Sequence, residues 1–553
     1  MQVTEKIAAF RARMKDENFA AVIVPTADSH ASEYIADYFK TRQWLSGFTG
    51  SAGTLVVGEK EAALFVDGRY FIQAERQIAG SGITLMRMGT AGTPKLEEYL
   101  TALLHENDAL GVDFGVVSEK FAENMRETAA KCGALLRDTG DWFGDLWKDR
   151  PPMPQEKAFI LDEQYAGQSV QSKVSAIRKV MAERGAQLHV LNVLDDIAWV
   201  LNVRGGDVLN TPVVMSYLVI GQKHVNWFVD ETKVDDAMRK TLADEGVNVR
   251  GYDEIIPALK GLEPDVKVLA DASKLTAALM NALEKAEIIR AENPSTMMKA
   301  VKNDVELENL RRAHVKDGVA VTRLMYWLKQ NVGKIPMTEI SVSDKLLALR
   351  REQAHFISPS FNTICAYRAN AAMMHYSATP ESDAKLEPRD LLLIDSGGSM
   401  DYHSQLCSQL FQAASRSNRF KELRVYYFHN CPKAYLYTNP TLEKKYQVSM
   451  ETVLRNCDKD FKVLLLGDAT MDIDDLIQPP YFETKDNKGY TGVDWLHYIL
   501  QRYSHTAWLN PRPTTRPVIF GKESYALLCE MFDMYPLTIA GLELALKKLM
   551  VRE

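Results

Sequence analysis

The stretch Asp390-Leu391-Leu392-Leu393-Ile394-Asp395-Ser396-Gly397-Gly398-Ser399-Met400 decides how the rest of the chain is read. An apolar run ends in an acidic residue and is followed by a turn of small residues. That order predicts a buried strand delivering Asp395 to its mouth, a place where metal sites are built. Downstream, strand candidates at 423–428, 462–468 and 506–510 alternate with helices at about 402–415 and 495–503. This alternation predicts a doubly wound parallel sheet with its crevice at the carboxyl ends of the strands. Upstream, helices at about 299–330 and 338–351 precede segments 360–364 and 370–376, which read as strands of an antiparallel sheet. The quoted strand can belong to only one of the two sheets.

With 553 residues, of which 46% are hydrophobic, the chain can form three or four packed domains. A net charge of -7 with no basic domain argues against nucleic-acid partners, and no apolar run of about 18 residues could span a membrane. The first twenty residues lack an apolar h-region, so they read as a helix, and a cytoplasmic protein is expected. The six cysteines lie far apart without zinc-ligand spacing, which predicts buried free thiols and no disulfide framework.

In residues 1–150 an amphipathic helix (Ile7, Phe10, Met14) leads to an apolar strand at 20–25, and alternating strands and helices follow. Asp28, His30 and Arg69 could form a catalytic set. The favoured reading is a buried hydrogen-bond network, because buried polar groups must be paired. Pro151-Pro152-Met153-Pro154 is a stiff linker to a second unit, 155–295. There Trp199 reads as core rather than as a ligand platform, since it shares a helix with Ile197 and Leu201.

Three stretches, Asp28-Ser29-His30 onward, Trp44 through Thr54, and Val66-Asp67-Gly68-Arg69-Tyr70, resemble the amino-terminal domain of aminopeptidase P, in the Xaa-Pro aminopeptidase and creatinase family. The resemblance continues through Leu194 to Tyr217, which looks like the second domain of that family, a repeat in fold of the first. Residues 296–389 look like the opening half of its pita-bread metallopeptidase domain. The resemblance implies that His375 is an active-site histidine that helps hold the substrate. It also implies a two-metal centre of five ligands, with Asp395 matching the first aspartate. Such a centre polarises the scissile carbonyl and generates hydroxide at neutral pH. The family's second aspartate falls eleven positions later, where this chain has Leu406, and the remaining ligands have no counterpart in the sequence.

From Asp395 on, the residues resemble bacterial von Willebrand factor A domains of the CoxE-like type. Asp395-Ser396-Gly397-Gly398-Ser399 matches a D-x-S-x-S turn with Gly397 in place of the first serine. Gly467-Asp468-Ala469-Thr470-Met471 and Trp508-Leu509-Asn510-Pro511 belong to the same likeness. It implies a mononuclear Mg²⁺ site from Asp395, Ser399 and Asp468, with Asn430 near a further contact. It also implies a protein partner that supplies an acidic group, such as an AAA+ ATPase of the MoxR type.

The expected fold is a chimera, α/β and α+β: two creatinase-type domains (1–150 and 155–295), a truncated pita-bread half-domain (296–389), and a doubly wound von Willebrand A-like domain (390–553). The 391–395 strand is expected in the last of these, leaving the half-domain with an exposed apolar face. The expected function is a non-catalytic interaction protein, dimeric through 1–295 by family analogy. One alternative is an Xaa-Pro aminopeptidase using Mn²⁺ or another dinuclear metal. Another is a misassembled or artificial chimera with no joint function.

Overall fold

The computed structural model describes residues 1–387, the backbone of 392–395, and, further on, 433–438, 444–457, 461–466, 473–478, 489–510 and 522–536, with 426, 428, 459, 541, 544, 545, 548 and 549. The chain divides into two compact units, Met1–Ser396 and Gly397–Glu553.

The first unit opens with helix Val3–Asp16, whose Ile7, Phe10 and Met14 are buried as the spacing predicts. A six-stranded sheet follows, from β1 (Ala21–Pro25), β2 (Thr54–Gly58), β3 (Ala62–Val66), β4 (Ile83–Arg87), β5 (Ala109–Val112) and β6 (Leu135–Asp138), in the order β4-β3-β2-β1-β5-β6. The β1·β2 and β2·β3 pairs are antiparallel and the other three parallel. β1 is apolar because helices cover it on both faces.

The second domain repeats this wiring. Strand Leu188–Leu191 takes the place of β1, with Ser216–Gly221, Val225–Val229 and Val247–Gly251 on one side and Lys267–Ala270 and Glu287–Arg290 on the other. Its two antiparallel and three parallel pairings occur in the same order. The domains meet reciprocally. Glu119 N donates to Leu275 O while Ala277 N donates to Val117 O, both at 2.9 Å, where each domain begins a helix after the strand next to its central one. Trp199 is core, as expected: it is buried, with the Lys173 ammonium 4.6 Å from its ring centre.

The remainder of the first unit corrects the sequence reading in several places, and the strand expected at 360–364 begins only at Ile364 and runs to Tyr367. The long helix expected at 299–330 is two helices, Pro294–Ala300 and Asp304–Asn331. They are separated by residues 301–303, the last of which, Asn303, accepts through its side chain from Glu306 N while Glu306 accepts from Asn303 N. Segment 370–376 is no strand, for a 3-10 turn over Arg368–Ala372 replaces it. The strand Leu392–Asp395 does not join a later parallel sheet. It pairs antiparallel with Ile364–Tyr367, Asp395 opposite Ile364 and Leu392 opposite Tyr367. Helix Glu339–Arg351 packs Val342, Leu346 and Leu349 against Cys365, Tyr367 and Leu324. Leu310 and Met325, expected to be covered, are exposed on helix Asp304–Asn331, as are Val315, Val319 and Tyr326.

In the second unit, Val463–Leu466, Thr506–Asn510 and Met534–Pro536 form a parallel sheet in that order. Helix Gly492–Arg502 buries Trp495, Leu496 and Ile499. The strands expected at 462–468 and 506–510 are thus present and parallel. The helix expected at 402–415 lies outside the described residues. Of the described cysteines, Cys365 and Cys457 are buried free thiols, Cys132 is half-buried and Cys529 exposed.

Candidate active site

Past β3 the chain turns through Asp67 and Gly68 and presents Arg69 and Tyr70 to His375. Asp67 Oδ1 accepts from the Arg69 amide (3.0 Å) and from its Nε (2.9 Å), and Oδ2 accepts from Nη2 (2.8 Å). This two-pronged pairing fixes the guanidinium plane. Burial opposes ionisation of Asp67, but its bonds to Arg69 outweigh it and hold the carboxyl below its usual range. The same bonds push the Arg69 guanidinium still higher. With the two side chains 41% and 38% exposed, the pair adds at most about 1 kcal/mol to stability. Its consequence is orientation: Arg69 Nη1 lies 3.4 Å from His375 Nε2. Since a guanidinium only donates, that contact suits an imidazole with its proton on Nδ1.

Tyr70 lies beside them, its ring centre 5.4 Å from that of His375 and its Oη 2.7 Å from Ser51 Oγ. Burial raises its phenol. The loop over Tyr70 is held from helix Thr41–Ser46, which ends at Gly47 with φ of 73°. Buried Arg42 of that helix donates to Phe48 O at 2.5 Å and to Gly50 O, and burial lowers its guanidinium to about 10. A side chain at position 50 would meet Phe48 Cζ at 2.2 Å and Tyr70 Cδ1 at 2.7 Å, so only glycine lets the loop lie this close.

His375 follows the turn Arg368–Ala372, none of whose residues is buried. Its neighbour Tyr376 is buried and donates to Glu339 Oε2 at 2.6 Å, and Asn370 Nδ2 donates to the same carboxylate at 3.0 Å.

Sequence reasoning placed Arg69 with Asp28 and His30, and the structure separates them. Buried Asp28 Oδ1 accepts from the amides of His30 and Ser32. The His30 ring lies 2.9 Å from Asn192 O and 2.8 Å from Tyr252 Oη, which ties the two domains together. Burial, the largest influence on it, lowers the His30 pKa. Those two residues form the expected hydrogen-bond network, while Arg69 faces the candidate site. Glu339, Asn370 and Tyr376 escaped the sequence reading. The one signal was an acidic residue after Thr338 at a helix start, which is common to helix N-termini in general.

Asp395 ends its strand as expected, opposite Ile364. Its side chain and the other residues of the anticipated Mg²⁺ site, Ser399, Asn430 and Asp468, lie outside the described residues. Among the described residues no three His, Cys, Asp or Glu side chains come together as metal ligands. What these residues offer is a guanidinium, an imidazole and a phenol that can bind and orient a peptide.

Models of the creatinase/prolidase N-terminal domain match residues 6–143 and 149–306, and that of metallopeptidase family M24 matches 308–422. Aminopeptidase P2 of Arabidopsis thaliana is 35% identical over 431 residues, covering 71% of this chain and 61% of the relative. A probable Xaa-Pro aminopeptidase P of Paracoccidioides brasiliensis (strain Pb03) is 33% identical over 416 residues, covering 72% and 67%. The crystal structure of X-prolyl aminopeptidase from Caenorhabditis elegans, described as a cytosolic enzyme with a di-nuclear active site, superposes with a TM-score of 0.68 at 28% identity, over 72% of this chain and 68% of that one. The chain thus spans about three fifths to two thirds of the length of the curated relatives it matches.

These likenesses confirm two creatinase-like domains followed by an M24 pita-bread domain. They overturn the expectation of a non-catalytic interaction protein with a von Willebrand A module. The relatives are named for Xaa-Pro aminopeptidase activity, and the M24 match runs from 308 to 422, straight through the stretch where the peptidase resemblance was expected to stop.

Proposed function

This chain belongs to the aminopeptidase P (Xaa-Pro aminopeptidase) family, and from that premise we propose that it releases the amino-terminal residue of peptides whose second residue is proline. The observation carrying this reading is the meeting of Arg69, from the first domain, with His375, from the segment matched by the M24 model. Proline locks its own φ near -65° and brings no N–H, so a site for it must work through shape and through donors aimed at carbonyl or carboxylate oxygens. Arg69 is such a donor, held in one plane by Asp67, and the His375 ring beside it is the second group in this role. Tyr70 supplies an aromatic wall. Metal donors in this reading are side chains outside the described ones, that of Asp395 first among them. The cytoplasm is the compartment that goes with it.

The test is to load the purified chain with Mn²⁺ and offer an Xaa-Pro peptide beside its Xaa-Ala counterpart. Release of the first residue from the prolyl peptide alone, abolished by Asp395→Ala, is expected; a folded chain that releases nothing at any Mn²⁺ level overturns the proposal. Counting bound metal separates the two anticipated centres. Two ions per chain fit a dinuclear site, whereas one ion lost on Asp468→Ala fits a mononuclear one. For residues 397–553 the parallel pairing of Val463–Leu466 with Thr506–Asn510 supports an α/β unit.

A further inference from the structure

Glu339 is fully buried at the first turn of helix Glu339–Arg351, and among the described residues its partners are four donors, none of them a cation. Oε1 accepts from Tyr367 N at 2.5 Å, and Oε2 from Tyr376 Oη at 2.6 Å and Ala384 N at 3.1 Å. Asn370 Nδ2 reaches both oxygens, at 3.2 and 3.0 Å. A buried carboxylate is tolerable only when satisfied in this way, and the positive end of its own helix adds to the balance. The donors bracket His375 on both sides, at 367, 370, 376 and 384. Between them the loop has little packing to hold it, since from Arg368 to Pro380 only Tyr376 is buried. The helix end, by contrast, is anchored by Val342, Leu346 and Leu349.

We propose that Glu339 is a positioning residue: its carboxylate clasps the loop of residues 367–384 and thereby sets His375 against Arg69. This rests on the reading of His375 as a substrate contact. The charge is essential to it, because a carboxylate accepts at every lone pair, whereas an amide in its place turns an NH₂ toward one of the four donors. Burial and the bond to Glu339 both raise the Tyr376 phenol, so that group stays a donor over the working pH range.

The test uses the full chain without metal, labelled at histidine, with the His375 ring signal assigned by its loss in His375→Asn. In Glu339→Gln that signal is expected to shift or broaden while those of His30 and His189 stay in place and the chain melts cooperatively. With metal and an Xaa-Pro peptide, KM is expected to rise about tenfold with kcat within about threefold, the split of a lost binding contact. Tyr376→Phe, which removes one donor and no charge, is expected to do the same more weakly. It also decides the matter if Glu339→Gln does not fold. A His375 signal unmoved in a folded variant, or an unchanged KM, overturns the clasp. An inactive wild-type chain sinks the aminopeptidase reading alone, because the ring signal still judges the clasp.

Discussion

The two six-stranded domains make the same turn after the same strand and spend it differently. In the first, β3 ends at Val66 and Asp67 accepts from the amide two residues on, Arg69 N, at 3.0 Å. In the second, Val225–Val229 ends likewise, and Asp230 accepts from Thr232 N at 2.9 Å. The next cation stands at the second residue of one turn and at the third of the other, and that single step reverses its direction. Arg69 points outward to His375, whereas Lys233 turns in, 1% exposed, and pairs with Asp207 at 2.5 Å. The lesson is that a duplicated scaffold keeps its turn chemistry while the first copy turns its cation out toward His375 and the second turns its cation in, into a buried ion pair.

The largest effect expected from this contrast is on stability. Lys233→Met strands Asp207 in a site where burial already pushes its carboxyl up against the influence of Lys233. It should cost about 3–5 kcal/mol in denaturant unfolding. Replacing both partners with apolar residues should recover most of that loss. Arg69→Met should stay within about 0.5 kcal/mol of wild type. Equal costs for the two single variants would break the contrast between inward and outward cations.

The central strands differ too. β1 carries only apolar residues up to Pro25, but its counterpart carries His189, fully buried, whose Nδ1 donates to Leu269 O at 3.0 Å and whose Nε2 has no partner among the described residues. Burial lowers this imidazole to about 4; Leu269 O, Asp196 and Asp271 oppose the shift and Arg184 adds to it. The unfolded chain binds the proton near 6.5 and the folded one only near 4. Stability is therefore whole above pH 6.5 and is lost as pH falls through 4, by about 3 kcal/mol. His189→Val, which adopts the apolar solution of β1, should remove this loss. Unfolding curves at pH 7 and pH 4 that differ equally in wild type and variant would count against it.

On activity, Arg69→Lys keeps the charge but not the two-pronged hold of Asp67. Loss of a charged hydrogen bond of about 1.5–3 kcal/mol corresponds to roughly a ten- to hundredfold fall in kcat/KM for an Xaa-Pro peptide. The thermal midpoint should stay unchanged. An unaffected kcat/KM would mean that the outward cation has no hold on substrate.

Periodicity made the duplicated domains legible. Ile7, Phe10 and Met14 mark one helix face, and the short, mostly apolar runs at 21–25 and 188–191 are of strand length and are strands in the structure. It did not assign Leu392–Asp395 to a sheet, because an apolar run fits either kind and its partner, Ile364–Tyr367, is chosen by tertiary pairing. The run Asn370 to Tyr376 has the composition of a strand. Two of its polar side chains, Asn370 and Tyr376, are instead drawn to Glu339, a contact that sequence spacing does not encode. Arg69 was singled out in the wrong company for the same reason, since the His30 ring finds its partners in the other domain while Asp28 accepts from the amides of His30 and Ser32.

The smallest expected effects lie where the copies meet. Ser118 caps helix Glu119–Ala130 through Phe121 N at 3.2 Å, and Thr276 caps helix Ala277–Ala282 through Leu279 N at 3.3 Å. The two capping residues also bridge one another. Each change to alanine should cost about 1 kcal/mol. Thr276→Ala should cost somewhat more, because it removes a buried methyl as well, while Thr276→Ser should retain the cap and lose only the methyl. Since the residues are in contact, the double variant should depart from the sum of the singles. Strict additivity in a double-mutant cycle would mean that the domains dock through their other contacts and that this reciprocal bridge couples nothing.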